Sequence, residues 1–125
     1  LMPFATTAAQ DAALDAVVSS WATTAATWRL YSGVPDGTNE LPATGGYAAV
    51  AYTGSEWSAA ANAGKPATVS LGTSTDAYGD VGSVWAICDA VGDPIYWDTL
   101  TVPLSVEAAG VPVSFRPELF FRSEF

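Results

Sequence analysis

Carboxylates at short, regular separations are the first residues of this chain with the potential for chemistry. Asp76 and Asp80 form one pair, and Asp89 and Asp93 another. Glycoside hydrolysis needs two carboxyl groups at a defined separation, one as acid and one as nucleophile or base. Both pairs, however, fall in Gly-containing stretches that read as turns, where Asp is favoured because its side chain bonds its own backbone. Turn chemistry is therefore their expected role. Asp36, Asn39 and Glu40 offer oxygens of the kind calcium takes, but their spacing fits no standard calcium loop. Asp11 and Asp15, without further ligands, would hold a cation weakly, and a solvated helix face is expected for them.

The residue types that would complete a catalytic centre are missing from the sequence. There is no histidine among the 125 residues, which removes the usual general base and the commonest transition-metal ligand. A serine nucleophile would then depend on lysine, and the one lysine, Lys65, sits in the sequence Ala-Gly-Lys-Pro. No Gly-x-Ser-x-Gly elbow occurs, and Gly64-Lys65 lacks the flanking glycines of a phosphate-binding loop. Cys88 is single and lies in an apolar run, so it is expected in the core. The chain reads as a non-enzyme with no catalytic residue, no metal and no cofactor.

Length and charge narrow the setting. A chain of this size makes one domain able to bury roughly two-thirds of its unfolded surface. Thirteen acids against four bases give a formal charge of −9, which argues against nucleic acid as a partner. The apolar runs are short, and the start LMPFATTAAQ has neither a basic region nor a long apolar one, so neither a membrane partner nor a signal peptide is expected.

The elements that must carry any site are one helix followed by strands. Residues 1–6 read as an apolar arm and residues 7–125 as a single β-sandwich domain. Thr7-Ala8-Ala9-Gln10 matches a capping box, and Leu14, Val17, Val18 and Trp21 follow at helical spacing, which predicts a helix over about 7–21. Thr27–Tyr31 switches to period two and predicts a strand. Further strands are expected over 47–52, weakly within 55–64, over 67–71, about Leu104 and Val106, and over 111–115 and 118–122, the first of these rich in small side chains.

The centre is expected in the stretch from Asp80 to Leu104. Val81, Ser83, Trp85 and Ile87 alternate with Val84, Ala86 and Cys88, so apolar groups occupy both faces, as in a strand inside a core. Beyond a Gly/Asp turn, Ile95 and Trp97 alternate with Tyr96 and Asp98 to give an antiparallel neighbour. Trp85, Ile87, Cys88, Ile95 and Trp97 are the expected core. Eight or nine short strands with one N-terminal helix make a mainly β fold, an antiparallel β-sandwich or jelly-roll.

Five Trp, five Tyr and five Phe in so weakly charged a chain exceed what such a core absorbs. Phe4, Trp57, Phe120, Phe121 and Phe125 are therefore the expected interface residues. Burial of apolar termini by a partner chain is one account of them. A surface platform of Trp and Tyr stacking on sugars, as in a carbohydrate-binding module, is another.

The succession Trp28-Arg29-Leu30-Tyr31, Gly45-Gly46-Tyr47-Ala48, Val69-Ser70-Leu71, Tyr78 through Ile87, Pro94-Ile95-Tyr96-Trp97 and Gly110 through Phe115 resembles small tailed-bacteriophage virion proteins, of the tail-fibre or the capsid decoration (cement) kind. Tyr78 stands where that group often has Trp. The resemblance implies no catalytic residues. It implies a capsid decoration protein that binds and stabilises the phage head, or else a tail or tail-fibre component. It further implies the major capsid protein as partner, a homo-oligomer (dimer or trimer), synthesis in the host cytoplasm and a final place on the capsid surface.

Overall fold

The computed structural model describes residues 6–22 and 25–120, so the expected arm, with Phe4, and the closing Phe121 and Phe125 lie outside the described residues. Helix α1 spans Thr7–Trp21. Its cap is Thr6, one residue earlier than the capping-box reading: the Thr6 hydroxyl accepts from the Ala9 N–H at 3.2 Å, and the Thr6 carbonyl takes the Gln10 N–H. Thr6 is extended (φ −68°, ψ 159°), as a residue half outside a helix must be.

Among the described residues eight strands follow: β1 (Thr27–Tyr31), β2 (Val50–Ala51), β3 (Gly64–Pro66), β4 (Val69–Thr73), β5 (Gly82–Cys88), β6 (Pro94–Leu104), β7 (Pro112–Phe115) and β8 (Glu118–Phe120). The fold is mainly β and antiparallel, with one helix. One sheet has four strands in the order β2-β1-β5-β6, and β3-β8 and β4-β7 are separate two-stranded ribbons. The elements facing the large sheet are thus two ribbons in place of one continuous second sheet.

The expected strand over 47–52 shrinks to two residues, because Gly45 and Gly46 (φ 68° and 90°) turn the chain tightly before it. At Gly45 a Cβ would stand 2.5 Å from the Asp76 carbonyl oxygen, so only glycine lets these two loops cross. The weak strand within 55–64 is absent apart from isolated bridges of Trp57 to Ala67 and of Ala61 to Gly64. Pro112 opens β7, whose one strand partner among the described residues is β4, so its missing N–H falls at the start of an edge strand.

The core gathers on one face of the four-stranded sheet. Trp28, Leu30, Trp85 and Ile87 are fully buried there, with Leu14, Val18 and Trp21 from α1 and Val69, Val113, Phe115 and Leu119 from the ribbons. Trp28 is the hub: its ring lies 5.3 Å from those of Tyr52 and Trp57, 5.8 Å from Trp85 and 6.1 Å from Phe115. Helix α1 is held on by more than its apolar stripe. Asp11 accepts the Ala63 N–H at 2.8 Å, and Asp15 pairs with Lys65 in β3. These two carboxylates, read as a solvated face, are anchors. Their partners lie some fifty residues away, beyond the reach of local pattern.

Candidate interaction surface

The two faces of β5 carry different chemistry, and the surface follows from the outer one. Trp85 and Ile87 point into the main core, whereas Val84, Ala86 and Cys88 point the other way into a small cluster with Tyr31. Trp85, Ile87 and Cys88 are all fully buried, in keeping with apolar groups on both sides of the strand.

Ile95 and Trp97 are corrected by the register. Ile87 pairs with Tyr96, and Ala86 with Trp97, so Tyr96 shares the inner face and Trp97 the outer one. Tyr96 packs against Trp21 and Trp85, with ring centroids 5.7 and 5.5 Å away. Trp97 and Ile95 remain 41% and 42% exposed. A register irregularity between Ile87 and Cys88 sets this phase at the hairpin end, where a run of Ile-Tyr-Trp fits either face equally well. Just before them, Val91 at the tip of the turn is exposed. Val91, Ile95 and Trp97 thus place apolar side chains on the outer side of one hairpin, on the edge strand of the sheet.

Trp57 is the second correction. It lies in the core at 8% exposure, where its indole N–H donates to the Tyr52 hydroxyl at 2.8 Å and that hydroxyl donates to the Val18 carbonyl at 2.6 Å. A sequence of Ala and Ser around one Trp concealed a buried polar relay that fastens three segments. Burial pushes the Tyr52 phenol up to about 12. Of the expected interface residues that are described, Phe120 alone is exposed, at 45%, and its ring lies over Gly64.

Beside the apolar hairpin runs the principal polar network of the sheet. Arg29 donates to Glu40 at 2.8 Å, the Tyr47 hydroxyl donates to the other Glu40 oxygen at 3.0 Å, and the Leu30 N–H donates to Tyr47 at 2.9 Å. Partial burial opposes the Arg29 charge, but Glu40 outweighs it and the guanidinium ends above its ordinary value. Tyr47 is raised first by burial, with Glu40 adding to it. Tyr31 and Cys88 share a hydrogen bond at 3.3 Å, and burial pushes the thiol up, which keeps it protonated and unreactive. Each of these groups serves another protein group.

Three of the four paired acids bond backbone with their carboxylates. Asp76 and Asp80 accept from the N–H groups of Ala77 and Val81, and Asp89 takes those of Val91 and Asp93 at 3.0 and 2.9 Å. Asp36 accepts the N–H and the hydroxyl of Thr38, whose bonds hold its carboxyl below the usual range. Among the described residues no three acidic or sulfur ligands converge as a metal site would require. Comparison with known proteins finds no matching family model, no similar curated protein and no similar solved structure.

Proposed function

We propose that this chain is a non-enzymatic structural protein of a virion, a decoration protein that adheres to the head and stabilises it. The observation that supports adhesion is the exposure of Trp97 and Ile95 on an edge strand, when the other four tryptophans are 8% exposed or less. Burying a large apolar side chain on contact contributes roughly 1.5–3 kcal/mol, and aromatic anchors of this kind carry much of the energy of protein interfaces. The virion setting draws on the resemblance of the Gly and aromatic positions described above. In this reading the partner is the major capsid protein, which would offer basic groups to a chain of charge −9, and repeated copies sum their contacts over the shell.

The test is negative-stain imaging of particles produced from the genome that encodes the chain, labelled with an antibody raised against it. Label distributed over the heads is the expected result. Label confined to tails would replace this reading with that of a tail component, and particles without label would end both. The sugar-binding alternative keeps one half-exposed tryptophan, Trp97, since Trp57 is taken up by the core.

A further inference from the structure

The groove between the end of β6 and the β7–β8 corner is separate from the apolar hairpin and has its own logic. Between the pairs Val84–Thr99 and Gly82–Leu104, Ser83 alone faces the four residues from Leu100 to Pro103. The extra residues form an enlarged, irregular bulge. A groove of about 320 Å3 lies between Thr101–Leu104 and the segment holding Ser114, Phe115, Arg116 and Glu118.

Each wall belongs to a strand that is paired along one edge only among the described residues. Among the described residues β6 pairs with β5 and with no other strand, and β7 pairs with β4 alone, yet the two line the same groove. The first half of β6 is blunted against further pairing by Asp98, which sits opposite Trp85 and therefore on the inner side of an edge strand. No charge blunts Thr101–Leu104. Pro103 removes one donor there, and Thr101, Val102 and Leu104 keep theirs.

Charge specifies what fits. Of the three bases among the described residues, Arg29 and Lys65 are in ion pairs and Arg116 is in none with another described residue. Arg116 and Glu118 stand two residues apart at the groove, so their side chains leave the same side of an extended chain. Val102, Pro103, Leu104 and Phe115 supply the apolar lining.

We propose that this groove binds an extended peptide segment of another protein by strand addition, with an acidic and a basic side chain two positions apart set against Arg116 and Glu118. Main-chain hydrogen bonds along the open edge hold the segment, and the charge pair sets its register. The site does not depend on the virion reading and would hold for any host assembly.

The experiment uses the full chain and a short synthetic peptide of alternating Val and Thr that carries one Glu and one Lys two positions apart. Amide shifts and hydrogen exchange are followed at Thr101, Val102, Leu104, Ser114, Phe115 and Arg116. Saturable shifts with slowed exchange at these amides are expected, lost when alternate peptide nitrogens are methylated. Arg116→Glu is expected to weaken binding roughly three- to tenfold, as the loss and reversal of an exposed ion pair allows. Three results would each overturn the proposal: no saturable shift at millimolar peptide, undiminished binding of the methylated peptide, or the same protection without peptide as protein concentration rises. The last would assign the edge to a second copy of this chain.

Discussion

The two faces of the four-stranded sheet solve the same problem with opposite materials. On the inner face large rings meet large rings, from Trp28 and Trp85 to Tyr96 and Trp57, and the Trp85 indole N–H is buried with no hydrogen-bond partner among the described residues. On the outer face small side chains, Ala86 and Cys88, are buried beside an ion pair, and Trp97 is left half in water. Leaving a buried donor unmade costs about 1–3 kcal/mol, so the inner face tolerates that penalty for the sake of ring packing. The difference teaches that stability is concentrated on one side of β5, which leaves the other side free to be selected for contact.

The sharpest way to break this contrast is to truncate one tryptophan on each side. Trp85→Ala removes a fully buried indole and is expected to cost about 3–5 kcal/mol, enough to unfold much of the population of an ordinary domain. Urea denaturation followed by far-UV circular dichroism measures it. A cost below about 1 kcal/mol would mean that the inner face is not the stable one.

Tyr52→Phe comes next. It leaves the Trp57 indole N–H without its acceptor and the Val18 carbonyl without its donor, at about 1–3 kcal/mol by the same denaturation experiment. The same residue gives a pH signature. Its folded pKa, pushed up to about 12, stands above the ordinary value of 10. The stability it contributes is therefore complete below pH 10 and lost as pH rises through 12. Tyr52→Phe is expected to flatten part of that alkaline loss, and an unchanged pH profile would refute the assignment. Tyr31, Tyr47, Tyr78 and Cys88, also raised by burial, add to the same alkaline loss.

On the outer face, Glu40→Gln removes the ion pair with Arg29 but keeps an acceptor for Tyr47. A pair with both side chains about three-tenths exposed is worth about 0.2–1 kcal/mol, and a loss in that range is expected from thermal or urea unfolding. A loss as large as that of Tyr52→Phe would show that the polar side carries more of the fold than the rings suggest.

Much of this arrangement was legible in the sequence, and what was not has physical causes. Helix α1 and the two-sided strand β5 were readable because periodicity reports which faces are apolar, and over 82–88 both are. The phase of β6 was not. Ile95, Tyr96 and Trp97 are all large, and period two cannot choose between them when a bulge at the hairpin end decides the register. Trp57 was hidden for another reason. Its neighbours are small and polar, and its burial depends on Tyr52 and Val18 meeting it through space. The anchoring roles of Asp11 and Asp15 are likewise long-range. The turn roles of the other Asp residues are local, and Asp89, which bonds the backbone two and four residues on, was readable for that reason.

The smallest effect on stability is expected where the largest effect on contact should lie. Trp97→Thr keeps a β-forming residue on an edge strand and removes an indole that is already 41% exposed, so the unfolding free energy should fall by less than about 1 kcal/mol. If the hairpin is the adhesive surface, the same substitution should release the chain from the particles that carry it, measured by co-sedimentation of purified protein with particles stripped of it. Ile95→Thr should act in the same direction and more weakly, since it buries less area in any contact. Retention of binding by the double substitution would move the adhesive surface elsewhere, to Phe120 or to the groove beside Arg116. Loss of binding together with a large loss of stability would mean instead that Trp97 supports the fold, and the contrast between the two faces would fail.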